Sequence, residues 1–383
     1  MRKILFFSPY FYPYISGLTT YPYKILKYLS KFYQITILTF PHKKNLKVNE
    51  KKLKIIYMPY LFKISKGYLS PQSFFYFYTH LKKTDIVFIN QPNFEGLPLV
   101  ILAKIFGLKI ISLFHCQVFL KPTFFNKIIN FFLNSSMIIQ LRLSNKIIIY
   151  TQEYFRSLSY YLHLKEKIDS VLPPIKELKI DKKFFQKIKK NKDEIFIGFL
   201  GRIAYEKGIE YLIEAVSQIK HIKNKKITLL FAGPYGKMVA GENNYFLKIK
   251  QFLKDKKIDY CFLGNLKDKQ LGAFYKAIDL LVLPSINSTE AFGMVQAEAM
   301  MLGTPVVASN LPGVNIPINL TKMGLLIEPR NVSQLKNAIL TIINNRKKFS
   351  HKKLVEKAKK YFDIKKVYKF YKKIFNDLAN EKN

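Results

Sequence analysis

Short apolar runs alternate along this chain with stretches in which apolar residues recur at helical spacing, the marks of strands and helices in turn. Residues 4–7, 35–39, 55–57, 86–90, 109–114 and 147–150 read as strands. The run 4–7, ending at Ser8-Pro9, suits one buried in a parallel sheet. Helical stretches at 20–29 and 97–106 fall among them. Val171-Leu172-Pro173-Pro174 closes this series and a Lys-rich helical stretch follows at 181–192, so a junction is expected there. A second series begins at 195–200 and continues through 227–232, 260–263, 280–284, 304–308 and 324–328. A helix at 332–344 and a Lys- and Tyr-rich helical pattern from Asp363 complete it. Strands alternating with helices imply the α/β class, with a doubly wound parallel sheet in each half and ligands held beyond the carboxyl ends of the strands. The division expected is a domain over 1–172, a second over 173–362, and a terminal helix over 363–383.

Composition sharpens this picture. At 383 residues, 49% hydrophobic and 15% aromatic, the chain has enough apolar material for two cores, which excludes disorder. Cys116 and Cys261 are the only cysteines, too few for a disulfide framework and suited to a reducing cytoplasm. The six histidines show no paired spacing, and no structural metal is expected. The net charge of +39 is carried mostly by Lys, and residues 1–172 hold about four basic residues for each acidic one. Part of that is compositional, because Lys, Ile, Asn, Phe and Tyr are abundant together. A field of this sign also draws a protein to anionic lipid, and the lack of a nucleic-acid-binding motif argues against nucleic acid as the partner.

No stretch is both long and apolar enough to cross a bilayer; 97–119 comes nearest and is interrupted by Lys104 and Lys109. The apolar core at 4–7 is too short for a secretory signal. A cytoplasmic protein, peripheral on the inner face of the membrane, is the expectation. Residues 124–141 place Phe124, Ile128, Phe131 and Phe132 at helical spacing. They form either a core helix of the first domain or an amphipathic helix lying on a bilayer, with Lys121 and Lys127 near headgroups.

Candidate chemistry concentrates in PSINSTEAFGMVQAEAMM, residues 284–301. Glu290 and Glu298 stand eight residues apart with Gly293 where a helix would start, so one carboxylate lies in the loop and the other two turns on. Amides at Gly293, Met294 and Val295 would then be the unpaired donors of a helix N-terminus, a site for phosphate. In isolation, such glutamates more often just complement the helix dipole. A second cluster, GRIAYEKG at 201–208, offers the donor fork of Arg202 and the charge of Lys207 to a diphosphate. Gly17 and His115 follow strands of the first series, one in a loop and the other at a strand end.

EAFGMVQAE and FLGRIAYEKGIEYLIEA resemble, respectively, the Glu-x7-Glu signature and the Gly-Arg to Lys-Gly segment of glycosyltransferase family 4, retaining enzymes of the GT-B fold. The likeness runs over nearly the whole chain and is strongest from 195 to 307. It implies two Rossmann-like domains facing a central cleft, the first holding the acceptor, the second holding a UDP- or GDP-sugar, and the terminal helix returning to the first. By resemblance, Glu298 takes the ribose hydroxyls, Glu290 the sugar, Arg202 and Lys207 the leaving diphosphate, and backbone near Leu266 the base. Gly17 approaches donor phosphates and acceptor, and His115 lines the reaction centre. The chain departs from the pattern at Ser16-Gly17, where a glycine pair is usual, and at 310–313. Hexosyl transfer to a lipid-linked or glycan acceptor in cell-envelope synthesis is the function expected. Fixed cations and the helix start supply the positive charge, and no DxD motif occurs, so no metal is expected as cofactor. Two alternatives stay open: a sugar-nucleotide epimerase of the same fold, and a non-catalytic basic protein docking on membrane or nucleic acid.

Overall fold

The structure, a computed structural model, describes residues 1–14, 16–42, 53–64, 67–118, 124–188, 193–219, 222, 225–239 and 241–380. Ile15, Lys121 and residues 189–192 of the expected Lys-rich helix lie outside these. The chain divides into two units, Met1–Pro174 with Ile364–Asn383, and Ile175–Asp363.

In the first unit the strands are β1 Lys3–Phe7, β2 Gln34–Thr39, β3 Leu53–Tyr57, β4 Phe62–Ile64, β5 Gly67–Leu69, β6 Ile86–Gln91, β7 Lys109–Phe114, β8 Lys146–Ile149 and β9 Ile168–Ser170. Seven of them form a parallel sheet in the order β3-β2-β1-β6-β7-β8-β9, and β4 pairs with β5 as a small antiparallel hairpin. Successive side chains point to opposite faces of a strand, and here each face has its own partner. Leu5, Phe7, Val87 and Ile89 join Phe77 and Leu99 of the helices Ser73–Leu81 and Leu97–Ile105 in one core. Phe6 and Phe88 meet edge to face at 5.2 Å, and Phe88 meets Phe375 of the terminal helix Ile364–Asn380 at 5.3 Å. β6 is covered on both faces and buried along its whole length, so Ile86–Ile89 are apolar and the polar Asn90 and Gln91 at its carboxyl end are hydrogen-bonded.

The second unit holds β10 Glu194–Leu200, β11 Lys226–Ala232, β12 Asp259–Gly264, β13 Leu280–Leu283, β14 Val306–Ser309 and β15 Gly324–Ile327. They form a parallel sheet in the order β12-β11-β10-β13-β14-β15, over a core built on Ile197, Phe199, Leu229, Val282 and Leu335.

Most expected strands occur within one or two residues of their expected bounds. The hairpin β4–β5 and β9 were not expected, since three-residue strands are too short to show a period. The helix Ser73–Leu81, SFFYFYTHL, was also missed, because aromatic residues on nearly every side of it erase the helical pattern.

Candidate active site

The second sheet reverses its strand order between β10 and β13. β10 runs into residues 201–208 and β13 into 284–293, so both sequence clusters lie at the point where connections part and open parallel sheets receive ligands. Backbone locks the two loops together. Gly208 has a left-handed φ of +61°, and a Cβ there would stand 2.4 Å from the Pro284 carbonyl oxygen. The Ile286 amide donates to the Glu206 carbonyl at 3.0 Å. Beside this lock, the Gly201 amide donates to Ala232 O at 2.9 Å and the Gly233 amide to Gly264 O at 2.8 Å. A Cβ on Gly233 would come within 2.2 Å of the Gly201 carbonyl oxygen, so the ends of β10, β11 and β12 form a ledge of close-set backbone. Leu266 follows that ledge, half-buried.

Side chains then meet across the lock. Lys207 Nζ donates to Glu290 Oε2 at 2.5 Å, joining residues 83 apart in sequence, with the two side chains 15% and 17% exposed. Arg202 Nη2 donates to Glu206 Oε1 at 2.7 Å. Glu290 precedes by three residues the cap Gly293, whose φ of +71° opens the helix Met294–Met301. The first hydrogen bond at this end runs from Gln296 N to Gly293 O at 2.9 Å. The amides of Met294 and Val295 precede it and belong to the set a helix start leaves for other acceptors. Around this start, Ser285 Oγ, Thr289 Oγ1, Gln296 Oε1 and, at the end of β14, Ser309 Oγ are buried without a hydrogen-bond partner among the described residues. Buried polar atoms of that kind are met by water or by a ligand rich in hydroxyls.

Glu298 sits within the same helix, and its Oε2 accepts from Tyr275 Oη at 2.8 Å. Tyr275 comes from the helix Asp268–Ala277 and is fully buried. Burial, and then the adjacent Glu298 carboxylate, hold its phenol well above the usual range, so it remains a donor and fixes the orientation of the carboxylate. The sequence gives no sign of Tyr275, which reaches Glu298 from a different element. Glu206 was also missed, although its four-residue spacing from Arg202 is visible in GRIAYEKG.

Gly17 and His115 lie in the first unit. Gly17 is not in a loop as expected but is the exposed first residue of the helix Gly17–Leu29, which starts three residues early. The Ser16 amide, at the cap, donates to Thr19 Oγ1 at 3.0 Å and secures the extra turn. His115 follows β7 and is 2% exposed, with Nε2 facing Asn90 Oδ1 at 2.7 Å and Nδ1 facing the Tyr150 hydroxyl. Asn90 Nδ2 donates to Leu18 O at 2.9 Å, so its Oδ1 is an acceptor and Nε2 carries the histidine proton. Burial lowers the His115 pKa to about 3 and keeps the ring neutral.

Two doubly wound parallel sheets, one with a helix start flanked by carboxylates and a lysine at its switch point, define the GT-B class. The chain is similar over 98% of its length, and 100% of the other's, to HepE of Anabaena in complex with UDP-glucose, with a TM-score of 0.78 at 18% identity, which establishes the shared fold. Residues 180–361 match the sequence model of the glycosyl transferases group 1 family. An uncharacterised glycosyltransferase of Methanocaldococcus jannaschii is 34% identical over 171 residues, 42% of this chain and 41% of that one. A D-inositol 3-phosphate glycosyltransferase of Corynebacterium jeikeium is 32% identical over 147 residues, 37% of this chain and 34% of that one. The matches thus span about two fifths or less of these relatives.

Proposed function

We propose that this protein is a glycosyltransferase that moves a hexosyl group from a UDP- or GDP-sugar to a lipid-linked or glycan acceptor with retention of anomeric configuration. The observation that carries the reading is the Lys207–Glu290 pair, held beside the Gly293 helix start by two interlocked loops. The names of the relatives support the reaction class, and the UDP-glucose bound to HepE supports the donor class. Retention rests on the family resemblance.

In this reading the bond from the anomeric carbon to the diphosphate breaks while one to an acceptor oxygen forms, and negative charge builds on the departing diphosphate. Lys207, Arg202 and the amides of Gly293, Met294 and Val295 stabilise that charge from fixed positions, so the balance is assigned to protein groups and not to a metal ion. Glu290 orients sugar hydroxyls while steering the Lys207 ammonium. Glu298, steadied by Tyr275, accepts from the ribose diol, and backbone near Leu266 meets the base. Gly17 is assigned to the approach of donor phosphates and acceptor, and His115 to the acceptor side. Because both His115 ring nitrogens are engaged, a hydroxyl reaches it by exchanging with Tyr150.

Lys207→Ala and Arg202→Ala test the charge assignment. Each is expected to cost on the order of 3 kcal/mol of transition-state stabilisation in kcat/KM, with the fold retained by circular dichroism. Turnover within a few-fold of wild type in either folded variant removes the leaving-group role.

A further inference from the structure

On the first unit, the helices Ser73–Leu81, Leu97–Ile105 and Phe124–Leu143 pack side by side. Their inner faces are committed to the core through residues such as Phe77, Leu99, Val100 and Leu141. Their outer faces are also apolar: Phe75 is 67% exposed, Ile105 74%, Phe124 82%, Phe131 67% and Phe132 66%. Tyr78 and Phe106, also exposed, are in ring contact at 5.9 Å and carry the apolar strip from one helix to the end of the next. Single exposed apolar side chains are ordinary, but a strip shared by three adjacent helices marks an interaction surface.

Charge selects the partner. The three helices contain no Asp or Glu, and their exposed ionic groups are Lys104, Lys127 and Arg142, joined by Lys82 just beyond the first. The Lys82 ammonium lies over the Tyr78 ring at 4.3 Å, so cation and aromatic share one surface. Large aromatic side chains interleaved with cations and free of carboxylates match the boundary between headgroups and acyl chains of an anionic bilayer. We propose that this face seats the protein on an anionic phospholipid membrane, the Phe and Ile side chains entering the boundary and the Lys and Arg side chains pairing with lipid phosphates. Seating of this kind does not depend on the transfer reaction.

The test uses the full chain and vesicles of phosphatidylcholine with or without about 30% phosphatidylglycerol. The triple variant Ile105→Ser, Phe131→Ser, Phe132→Ser leaves the net charge of +39 unchanged. Wild type is expected to partition onto the anionic vesicles, and the variant about tenfold more weakly at an unchanged melting temperature. Equal partitioning overturns the proposal, since diffuse positive charge then suffices. So does light scattering that shows a wild-type dimer dispersed by the same substitutions, since a second copy then covers the face. Should the triple variant fold poorly, Phe131→Trp keeps the question answerable, because the chain has no other Trp. Its emission should shift to the blue on anionic vesicles and be quenched by brominated acyl chains; an unmoved spectrum overturns the proposal.

Discussion

Asn90 stands between a proline and a histidine. Pro22, inside the helix Gly17–Leu29, has no N–H to give the Leu18 carbonyl, and Asn90 Nδ2 meets that carbonyl instead. Its other atom, Oδ1, then takes the Nε2 proton of His115, so a helix defect in one element fixes the tautomer of a ring in another. Unfolding exposes His115 to its ordinary pKa near 6.5, so the unfolded chain binds the extra proton and stability rises with pH from about 3 to about 6.5. Glu95 works in the opposite direction. Burial raises its pKa from 4.5 to about 7 against the pull of the Tyr68 and Phe94 amides, so the native carboxyl keeps a proton the unfolded chain has lost. Stability from Glu95 is complete below about pH 4.5 and disappears as pH rises through about 7. The slope of the urea midpoint against pH between about 5 and 7 should therefore be more positive in Glu95→Gln than in wild type, His115 contributing equally to both; identical slopes would show that Glu95 titrates normally. In the second unit, Glu298→Gln is expected to weaken binding of the nucleoside diphosphate by about 1.5–3 kcal/mol, the worth of a charged hydrogen bond. Calorimetric titration reads this directly, and an unaltered Kd rules out the ribose contact.

Among elements, the terminal helix Ile364–Asn380 shows how distant sequence is tied to a core. Its Tyr371 hydroxyl is 2.8 Å from that of Tyr21, both side chains being buried, and Tyr368 stacks on Tyr28 at 4.2 Å. Burial comes first in raising both phenols, so each hydroxyl stays protonated and the pair depends on its mutual bond. Tyr371→Phe leaves the Tyr21 hydroxyl buried and is expected to cost about 1–3 kcal/mol by chemical denaturation. A loss under about 0.5 kcal/mol would mean that Tyr21 finds another partner at once. The helix Phe124–Leu143 resolves differently from either sequence reading alone. Met137 and Leu141 are buried as in a core helix, while Phe131 and Phe132 stay exposed as on an interfacial one.

At the scale of the whole molecule, each unit has its own sheet and core; the first includes the last helix of the chain, and the second is built from the intervening residues Ile175–Asp363. A donor held as proposed stabilises the second unit by mass action. Saturating UDP should therefore slow amide exchange at 201–208, 264–266 and 284–298 and raise the melting transition of residues 175–363. Protection that appears in the first unit instead would contradict the placement of the donor. Among the described residues, no helix is long and apolar enough to cross a membrane.

The α/β class, most strands and the two clusters of ionic residues were legible in the order of residues alone, because these depend on local period and on residue types a few positions apart. It could not show that Lys207 meets Glu290, that Tyr275 holds Glu298, or that Asn90 links Pro22 to His115. Those contacts exist only once non-adjacent strands lie side by side and bring loops from different crossovers to one edge. The sequence left the face of the helix Phe124–Leu143 open between core and bilayer and did not reveal the outer faces of the other two helices, because an apolar residue looks alike in sequence whether it faces the core or the solvent. Which side it takes is settled when its helix docks, since packing consumes one face and leaves the other.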